Sequence, residues 1–296
     1  MPNVTIDGIV LVDKPEGPTS HDVVAACRKI FNTRKVGHAG TLDPMATGML
    51  VIGIGRATRL LGHLAAHDKE YLAIVRLGQA TETDDALGEV LSQSDADHIS
   101  DDQILEVIRT FRGHIQQRPS KVSAIKVNGK RAYARVRDGE EVELRERNVT
   151  VQDIEVNDIV RNGDLHVIDV SVRVVCSAGT YIRALARDIG EQLGVGGHLT
   201  QLRRTRSGLF SDMTPLEVLQ QNPKMVPLNE ALRIAFPVVT LNDDDADKAR
   251  HGRIVAAPID AKEGLTGIFD GIGAPISLAT IEDNKVVPMV VFVGTE

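Results

Sequence analysis

The stretch from Gly37 to Leu50 combines residue types from which an active site could be built. Its only carboxylate is Asp43, its only imidazole is His38, and glycines stand on both sides of them. Glycine adopts backbone angles that other residues resist, so the segment can turn sharply and approach a ligand closely. Pro44 keeps Asp43 out of helical geometry. The sequence therefore predicts a carboxylate on a shaped loop, able to act as a nucleophile, a base or a stabiliser of positive charge.

An aspartate before a proline also has a purely structural explanation, because Asp commonly caps or turns the chain at such a position. Taken alone, the Asp43-Pro44 pair favours that explanation. The longer run from Val36 to Leu50, however, resembles the catalytic motif of the TruB family of pseudouridine synthases. In that family a loop containing glycine and histidine presents the one essential aspartate.

Further segments resemble other motifs of the same family, and they occur in the family's order. They are Asp13-Lys14-Pro15, Lys69-Glu70-Tyr71, Gly179-Thr180-Tyr181-Ile182-Arg183 and Leu202-Arg203-Arg204. Together the motifs extend over residues 9–210, which is about seven tenths of the chain. The resemblance implies an isomerase, a tRNA pseudouridine(55) synthase. Such an enzyme cleaves the C1′–N1 bond of uridine 55 in the T loop of tRNA and rejoins the base through C5.

The resemblance also assigns a role to several side chains. Asp43 becomes the essential carboxylate, and Arg183 pairs with it and keeps it ionised and oriented. Tyr71 stacks on the target base, while Tyr181 and Leu202 line the same pocket. The general alternatives are a surface arginine, a half-buried strand tyrosine and a core leucine.

His38 receives its role from the chemistry of base flipping. A uridine inside a folded RNA loop reaches a buried carboxylate only when it is extruded, and the enzyme must replace the lost stacking. His38, five residues before Asp43, is the candidate to occupy the space that the base leaves. A structural histidine in a loop is the competing explanation.

Periodic patterns on both sides of these residues predict the elements that must position them. Apolar residues at helical spacing follow Thr19 and Ser20, either of which can cap a helix. The same spacing starts again at Ile182 and stops near Gly194. Short apolar or alternating runs predict strands at 9–12, 50–55, 69–78 and 165–175. Strands joined by long, mixed connections are typical of an α+β domain rather than of a regular βαβ repeat.

The resemblance implies that the sheet is mixed, largely antiparallel and flanked by helices, as in the pseudouridine synthase fold. Near residue 237 the composition shifts, and from Val238 onward short apolar runs alternate with Gly and Asp. We therefore expect a catalytic domain at 1–237 and a small β-rich, PUA-like domain at 238–296. The second domain either guides the acceptor end of tRNA weakly or mainly stabilises the first.

The charge distribution bears on an RNA partner. A net charge of −7 argues mildly against nucleic acid, since phosphate contacts dominate such affinity. The segment from Arg118 to Arg147 nevertheless holds nine basic and five acidic residues, whereas 240–296 holds five basic and ten acidic ones. A basic face on an acidic protein is therefore compatible with the tRNA T stem-loop as partner. Asp85 resembles a family aspartate, and the resemblance implies that it contacts RNA or neighbouring arginines.

The sequence and the resemblance also give expectations for the cysteines, for cofactors and for cellular location. Cys27 and Cys176 lie far apart in apolar surroundings, which predicts reduced buried thiols and gives no metal-site spacing. Because uridine and pseudouridine are isomers, the resemblance implies no metal, nucleotide or redox cofactor. The N-terminus does not read as a signal peptide and no apolar stretch approaches membrane-spanning length, so we expect a cytoplasmic protein. We further expect a monomer without an obligatory protein partner.

Three rival functions remain at this point. The first is a tRNA-binding or tRNA-folding chaperone that acts without required catalysis. A guide-RNA-dependent synthase is less favoured because such proteins usually carry basic extensions, and this chain has none. A glycoside hydrolase normally needs two cooperating carboxylates, and only Asp43 has a convincing motif around it.

Overall fold

A computed structural model describes residues 7–120 and 145–292, together with the backbone of two short strands between these ranges. It shows an α+β fold in which a large mixed sheet is flanked by helices and followed by a smaller second sheet. The predicted fold class is confirmed. Most of the basic segment Arg118 to Arg147, including Tyr133, lies outside the described residues. Its contact with phosphates stays a prediction.

Ten strands form the large sheet, in the spatial order β13-β1-β3-β12-β4-β11-β10-β7, with β14 beside β1 and β2 beside β3. Their bounds are β1 Gly8–Lys14, β2 Val36–Ala39, β3 Thr47–Ile54, β4 Lys69–Leu77, β7 Gly113–Gln117, β10 Arg147–Asn162, β11 Val167–Cys176, β12 Gly197–Ser207, β13 Thr214–Pro215 and β14 Val226–Pro227. Neighbouring strands are antiparallel except in two pairs, β1 with β13 and β3 with β12. The long strands β10 and β12 and the shorter β7 are elements that the sequence patterns did not predict.

The structure also contains helices and two separate two-stranded ladders. The α-helices are Ser20–Ile30, Leu61–Ala65, Asp101–Thr110, Ile182–Gln192, Leu216–Gln221, Leu228–Ala235 and Asp243–Arg250, and the turn Gly55–Leu60 is a 3₁₀ helix. The ladders pair β5 Gln79–Thr81 with β6 Val90–Gln93 and β8 Lys126–Val127 with β9 Lys130–Arg131. None of the described helices combines the length and apolar character that crossing a membrane requires.

Local sequence explains where the main helices begin. Thr19, rather than Ser20, caps helix Ser20–Ile30: its hydroxyl accepts from the amide of Asp22, and the Asp22 carboxylate accepts from the amide of Thr19. This reciprocal arrangement satisfies two amides that a helix end leaves open. Helix Ile182–Gln192 buries the predicted apolar face, and Gly194 beyond its end has a φ of +76°. The predicted stop at Gly194 is confirmed.

A close backbone contact beside the predicted catalytic loop requires glycine. Gly48 has a φ of +94°, and a Cβ added there would lie 2.2 Å from the carbonyl oxygen of Arg204 on β12. A larger residue at this position would push β12 away from β3. The glycine therefore lets the strand that carries Leu202 and Arg204 lie directly beside the end of the loop.

The second sheet has five strands in the order β15-β17-β18-β19-β16. They are β15 Val238–Thr240, β16 Val255–Ala256, β17 Gly264–Phe269, β18 Pro275–Glu282 and β19 Lys285–Val291. Phe269, Leu278 and Phe292 are fully buried in one hydrophobic cluster with residues of the large sheet and its helices, such as Met49 and Leu60. This shared core favours a stabilising role for the C-terminal sheet. The division into domains at residue 237 stays a prediction.

Substituting Phe269 should destabilise the whole chain. We expect Phe269→Ala to lower the free energy of unfolding by about 3–5 kcal/mol, the usual cost of truncating a buried phenylalanine. Because the cluster spans both sheets, the loss should appear as one cooperative transition at lower temperature in differential scanning calorimetry. Ile272→Ala, at a residue 92% exposed, is the matched control and should change stability by no more than about 0.5 kcal/mol. A second, unshifted transition for the large sheet would contradict the shared core.

Candidate active site

A pocket of about 290 Å³ opens where the predicted catalytic loop meets the start of helix Ile182–Gln192. The loop contributes 40–43, the segment before and into the helix contributes Ser177 and 179–183, and β4 and β12 contribute individual side chains. Five of the predicted site residues line it, namely Asp43, Tyr71, Tyr181, Arg183 and Leu202. The volume is close to the lower end of the range for ligand pockets.

Hydrogen bonds from distant parts of the chain hold the loop that carries Asp43. The Ser20 hydroxyl accepts from the amide of Leu42 at 2.9 Å and donates to its carbonyl at 3.0 Å. The Pro44 carbonyl accepts from the buried Lys14 ammonium at 3.2 Å and from the Gly17 amide at 2.9 Å. Asp43 thus lies between two residues whose backbones are fixed, which limits how far its carboxylate can move.

Arg183 joins Asp43 to a second carboxylate. Its Nη2 lies 3.0 Å from Oδ2 of Asp43, and its Nη1 lies 3.2 Å from Oδ2 of Asp85. Nη1 also donates to the carbonyl of Thr83 at 2.9 Å. The Arg183 and Asp85 side chains are each 5% exposed, whereas that of Asp43 is 35% exposed. Asp85 therefore anchors the guanidinium from behind, and Asp43 faces the pocket.

The environment of Asp43 changes its acidity. Removal of water by the pocket walls raises the pKa of Asp43 above its ordinary value of 3.8, and the Asp85 carboxylate adds to this rise. The Arg183 guanidinium and the Lys14 ammonium oppose it by favouring the charged form. A carboxylate with a raised pKa and a fixed cationic partner is typical of a reacting group.

Tyr71 and Leu202 come from adjacent antiparallel strands. Tyr71 on β4 pairs across the ladder with Arg204 on β12, and Leu202 pairs with Ala73. Both Tyr71 and Leu202 are nearly buried, at 9% and 8% exposed. Burial raises the pKa of Tyr71, so its hydroxyl stays neutral. These two side chains give the pocket the aromatic face and the apolar wall that a flat base requires.

Tyr181 is held by its backbone and by its ring. The buried side-chain amide of Gln117 accepts a hydrogen bond from the Tyr181 N–H at 2.8 Å through Oε1. Its Nε2 donates to the Tyr181 carbonyl at 3.0 Å. The guanidinium carbon of Arg147 lies 5.3 Å from the centre of the Tyr181 ring, a cation–π distance. Burial raises the pKa of Tyr181, and Arg147 opposes this rise. Tyr181 is thus a neutral, fixed wall of the pocket.

His38 lies in a strand and not in the loop that the sequence indicated. It belongs to strand β2 and pairs with Ile52 of β3, so the expectation of a loop histidine is wrong. The half-buried ring contacts that of His21 edge-on, with 5.4 Å between centroids, and it is not part of the pocket lining. Val36 and Ala39, at the two ends of this short strand, are buried, and its backbone pairs with β3. A role for His38 in replacing the flipped base stays a prediction.

Metal-ligand geometry occurs away from this pocket. In the ranges 7–120 and 145–292, the side chains of Asp95, Asp97 and His166 form the one group close enough together to hold an ion. All three are exposed, and His166 already pairs with Asp97 at 2.5 Å.

Two family models match this sequence and together cover residues 28–233. The sequence model described as "TruB family pseudouridylate synthase (N terminal domain)" matches residues 28–182. A second one, "tRNA pseudouridylate synthase B C-terminal domain", matches residues 183–233. The chain belongs to the TruB family.

Relatives of high identity extend the match over nearly the whole chain. A protein of Thermobifida fusca (strain YX) named tRNA pseudouridine synthase B is 50% identical over 293 residues, covering 98% of this chain and 99% of that protein. One of the same name from Mycobacterium sp. (strain KMS) is 52% identical over 281 residues, covering 94% and 92%. The similarity therefore includes the region of the C-terminal sheet.

Solved structures share the fold of this TruB family member. A chain of a Cbf5-Nop10-Gar1 complex matches with a TM-score of 0.72 and 31% identity, covering 97% of this chain and 85% of that chain. An H/ACA RNP bound to a substrate RNA containing 2′-deoxyuridine matches with a TM-score of 0.71 and 29% identity, covering 98% and 86%. The second of these assemblies holds a substrate RNA.

Three contributors to the site of this TruB family member were absent from the predicted set. Asp85 is 98 positions from Arg183, Ser20 is 22 from Leu42, and Gln117 is 64 from Tyr181. An acidic residue in a polar loop, a helix-start serine and a strand glutamine are common without such roles. Only Asp85 carried a signal, because it resembles a family aspartate that contacts RNA or neighbouring arginines.

Turnover by this family member should fall on the acid side with an apparent pKa above 3.8, because the pocket raises the pKa of Asp43. With Asp43 as the reacting carboxylate, which is a proposal, only its ionised form is competent, so activity is present above that pKa and is lost as the pH falls through it. Asp85→Asn removes a charge that raises the pKa of Asp43 and should move the acid limb downward. Single-turnover rates at saturating RNA over a pH series give the acid limb of the wild type and that of the variant. A wild-type limb at or below 3.8 would contradict the assignment.

Proposed function

We propose that this protein isomerises uridine 55 in the T loop of tRNA to pseudouridine, with Asp43 as the essential carboxylate. Membership of the TruB family and relatives named tRNA pseudouridine synthase B support pseudouridine formation in tRNA. The observation that carries the role of Asp43 is its 3.0 Å pairing with Arg183 at the wall of a pocket that also holds Tyr71.

The proposed reaction has a defined order of events. The target uridine leaves its stack and enters the pocket, where Tyr71 and Leu202 replace part of the lost contact. The C1′–N1 bond then breaks, the freed base rotates, and C5 joins the same sugar carbon. Asp43 serves by attack on the sugar, by stabilising positive charge at C1′ or by removing a sugar proton, and each of these requires the ionised form.

The shape of the T arm, rather than its sequence alone, fits this mode of recognition, since proteins read folded RNA largely by shape and by extruded bases. In this proposal the protein acts in the cytoplasm as a monomer on the T stem-loop, without an obligatory protein partner. The catalytic domain comprises 1–237, and the PUA-like domain 238–296 stabilises it through the shared core.

Tritium release tests the proposal directly. A T-arm hairpin carrying C5-tritiated uridine at the target position loses its label only when C5 forms the new bond to C1′. We expect release by the wild-type protein, and none from a hairpin in which C5-tritiated cytidine replaces the target uridine. Binding of the hairpin without release would favour the chaperone function instead.

A further inference from the structure

Two buried cations line the pocket in addition to Arg183. Lys69 at the start of β4 is 4% exposed and Arg204 on β12 is 1% exposed. Both belong to the same wall as Tyr71, which pairs with Arg204 across the ladder. Only one carboxylate, that of Asp43, lines the described pocket, so the lining carries more positive than negative charge in an otherwise acidic protein.

Backbone carbonyls hold both cations, and Arg204 also forms a hydrogen bond with the Tyr71 side chain. Lys69 Nζ donates to the carbonyl of Ala65 at 2.5 Å and to that of His67. Arg204 donates from Nε to the carbonyl of Met49 at 2.6 Å and from Nη2 to that of Gly40 at 3.1 Å. Carbonyl dipoles position a cation without cancelling its charge.

Neighbouring arginines on the same strand differ in this respect. Arg203 lies 2.8 Å from the Asp13 carboxylate, and Arg206 lies 3.0 Å from that of Asp68. In the ranges 7–120 and 145–292, neither Lys69 nor Arg204 has a carboxylate within 4.0 Å. Burying a charge without a counter-ion is costly, so such an arrangement points to a function for the field that it creates.

Among the groups around the pair, the Asp68 carboxylate favours the charged form of Lys69 but is itself bound by Arg206 at 3.0 Å. The Cys176 thiol lies beside both cations, and burial raises its pKa to about 11, so it stays uncharged near neutral pH. Burial and the Arg204 guanidinium lower the pKa of Lys69 to about 8, which leaves it mostly protonated at pH 7. Tyr71 is also neutral, because burial raises its pKa. The positive charge therefore faces the pocket.

Negative charge develops in this pocket if the proposed function holds, and the inference rests on that function. When C1′–N1 breaks, its electron pair goes to N1 and the uracil departs as an anion, whose charge spreads over N1 and the two carbonyl oxygens. C5 then donates an electron pair to C1′, the C5 proton is lost to a base or water, and N1 takes up a proton. The balance is an isomerisation.

We propose that Lys69 and Arg204 together stabilise the uracil anion after its bond to C1′ breaks. Fixed charges aimed at the place where charge develops lower a barrier without needing to reorganise during the reaction. The alternative ligand, an RNA phosphate, is less favoured by the burial of both cations beside the aromatic wall and the apolar Leu202. Arg147, which is partly exposed beside Tyr181, is better placed for a phosphate at the pocket mouth.

The test varies the quality of the leaving group. T-arm hairpins carry either uridine or 5-fluorouridine at the target position, and the fluorine stabilises negative charge on the departing base. Lys69→Met and Arg204→Met remove each charge while keeping an apolar stem of similar length. Single-turnover loss of the C1′–N1 linkage, followed by digestion and nucleoside chromatography, gives the rate for each pair of enzyme and hairpin.

Each variant should lose roughly 100-fold in rate on uridine, as expected for a preorganised group facing the developing charge. On 5-fluorouridine the loss should be about tenfold or less, because the better leaving group needs less stabilisation. The ratio of the two rates comes from one preparation, so a reduced folded fraction cancels. Arg76→Met, at a β4 residue paired with Asp169, is the control and should leave the ratio at its wild-type value.

Two results would overturn this inference and leave the proposed function intact. Equal losses on both hairpins would mean that Lys69 and Arg204 only support the pocket structurally. A loss of hairpin affinity in fluorescence anisotropy, with unchanged single-turnover rates, would assign them to an RNA phosphate. If wild-type protein converts neither hairpin, the proposed function fails and the inference fails with it.

Discussion

Asp43→Asn should lower the single-turnover rate on a T-arm hairpin by roughly 10⁴-fold or more, the scale seen when a group central to the chemistry is removed. The amide has the same shape as the carboxylate and can still accept from Arg183, so geometry is preserved. What disappears is the negative charge that each proposed role of Asp43 requires. Tritium release measures the rate, and fluorescence anisotropy of the labelled hairpin measures affinity, which should change by no more than about threefold.

A matched aspartate separates this effect from the loss of any ion pair. Asp169 on β11 also binds an arginine, Arg76, at 2.7 and 2.8 Å, and its side chain is 28% exposed, close to the 35% of Asp43. It does not line the pocket. We expect Asp169→Asn to retain the wild-type rate. Substantial release by Asp43→Asn would remove this residue from the centre of the chemistry.

Much of the site could be predicted because its residues lie in local motifs. Glycine and proline around Asp43 predict a loop, because their backbone preferences do not depend on the rest of the fold. Helix Ile182–Gln192 follows from apolar spacing, and its start brings Arg183 to the pocket. These features are local in sequence, so a single chain shows them, but the roles of Asp43 and Arg183 came from the resemblance to the TruB family, since Asp43-Pro44 alone favours a structural turn.

Strand β12 shows why other elements escaped prediction. Its sequence contains several arginines, and Leu199 and Leu202 are its only large apolar residues. Arg204 is buried because the carbonyls of Met49 and Gly40 satisfy its guanidinium, and these carbonyls approach only in the folded chain. A charged strand at the centre of a sheet therefore depends on tertiary contacts that periodicity does not report.

Strand β10 was missed for a different reason. Its pairing with β11 shifts register twice, between Val151 and Asp153 and again between Val156 and Asp158. Each irregularity moves the following side chains to the opposite face relative to a regular strand, so the alternation of apolar and polar residues is interrupted. A 16-residue strand then reads as several short fragments.

Asp43 and Arg183 reach the pocket from different elements, so each side chain must be held separately. Asp85, in the loop after β5, anchors the Arg183 guanidinium, and the Thr83 carbonyl accepts a hydrogen bond from the same guanidinium. The Asp85 side chain is only 5% exposed. If a group with fewer donors replaces the guanidinium, this buried carboxylate loses hydrogen bonds that water cannot replace. The pair is therefore tested best by a substitution that keeps the positive charge and removes the fork.

Arg183→Lys should lower turnover by about a thousandfold while hairpin affinity stays within roughly threefold of wild type. A single ammonium cannot bind Asp43, Asp85 and the Thr83 carbonyl in the directions that the planar guanidinium serves together. Held by the buried Asp85, the lysine should leave Asp43 without its partner, so the carboxylate loses both orientation and a charge that favours ionisation. The acid limb of the pH–rate profile should therefore move to higher pH, because Arg183 opposes the raised pKa of Asp43.

Arg187→Lys is the matched control for this substitution. Arg187 lies one turn further along the same helix, its side chain is 15% exposed, and its Nη1 lies 3.1 Å from Oδ2 of Asp84. It thus reproduces a buried arginine–aspartate contact outside the pocket lining. We expect its rate and acid limb to match wild type even if its melting temperature falls. If Arg183→Lys lost only hairpin affinity, or if both variants lost the same turnover, the pairing with Asp43 would not be what makes the carboxylate reactive.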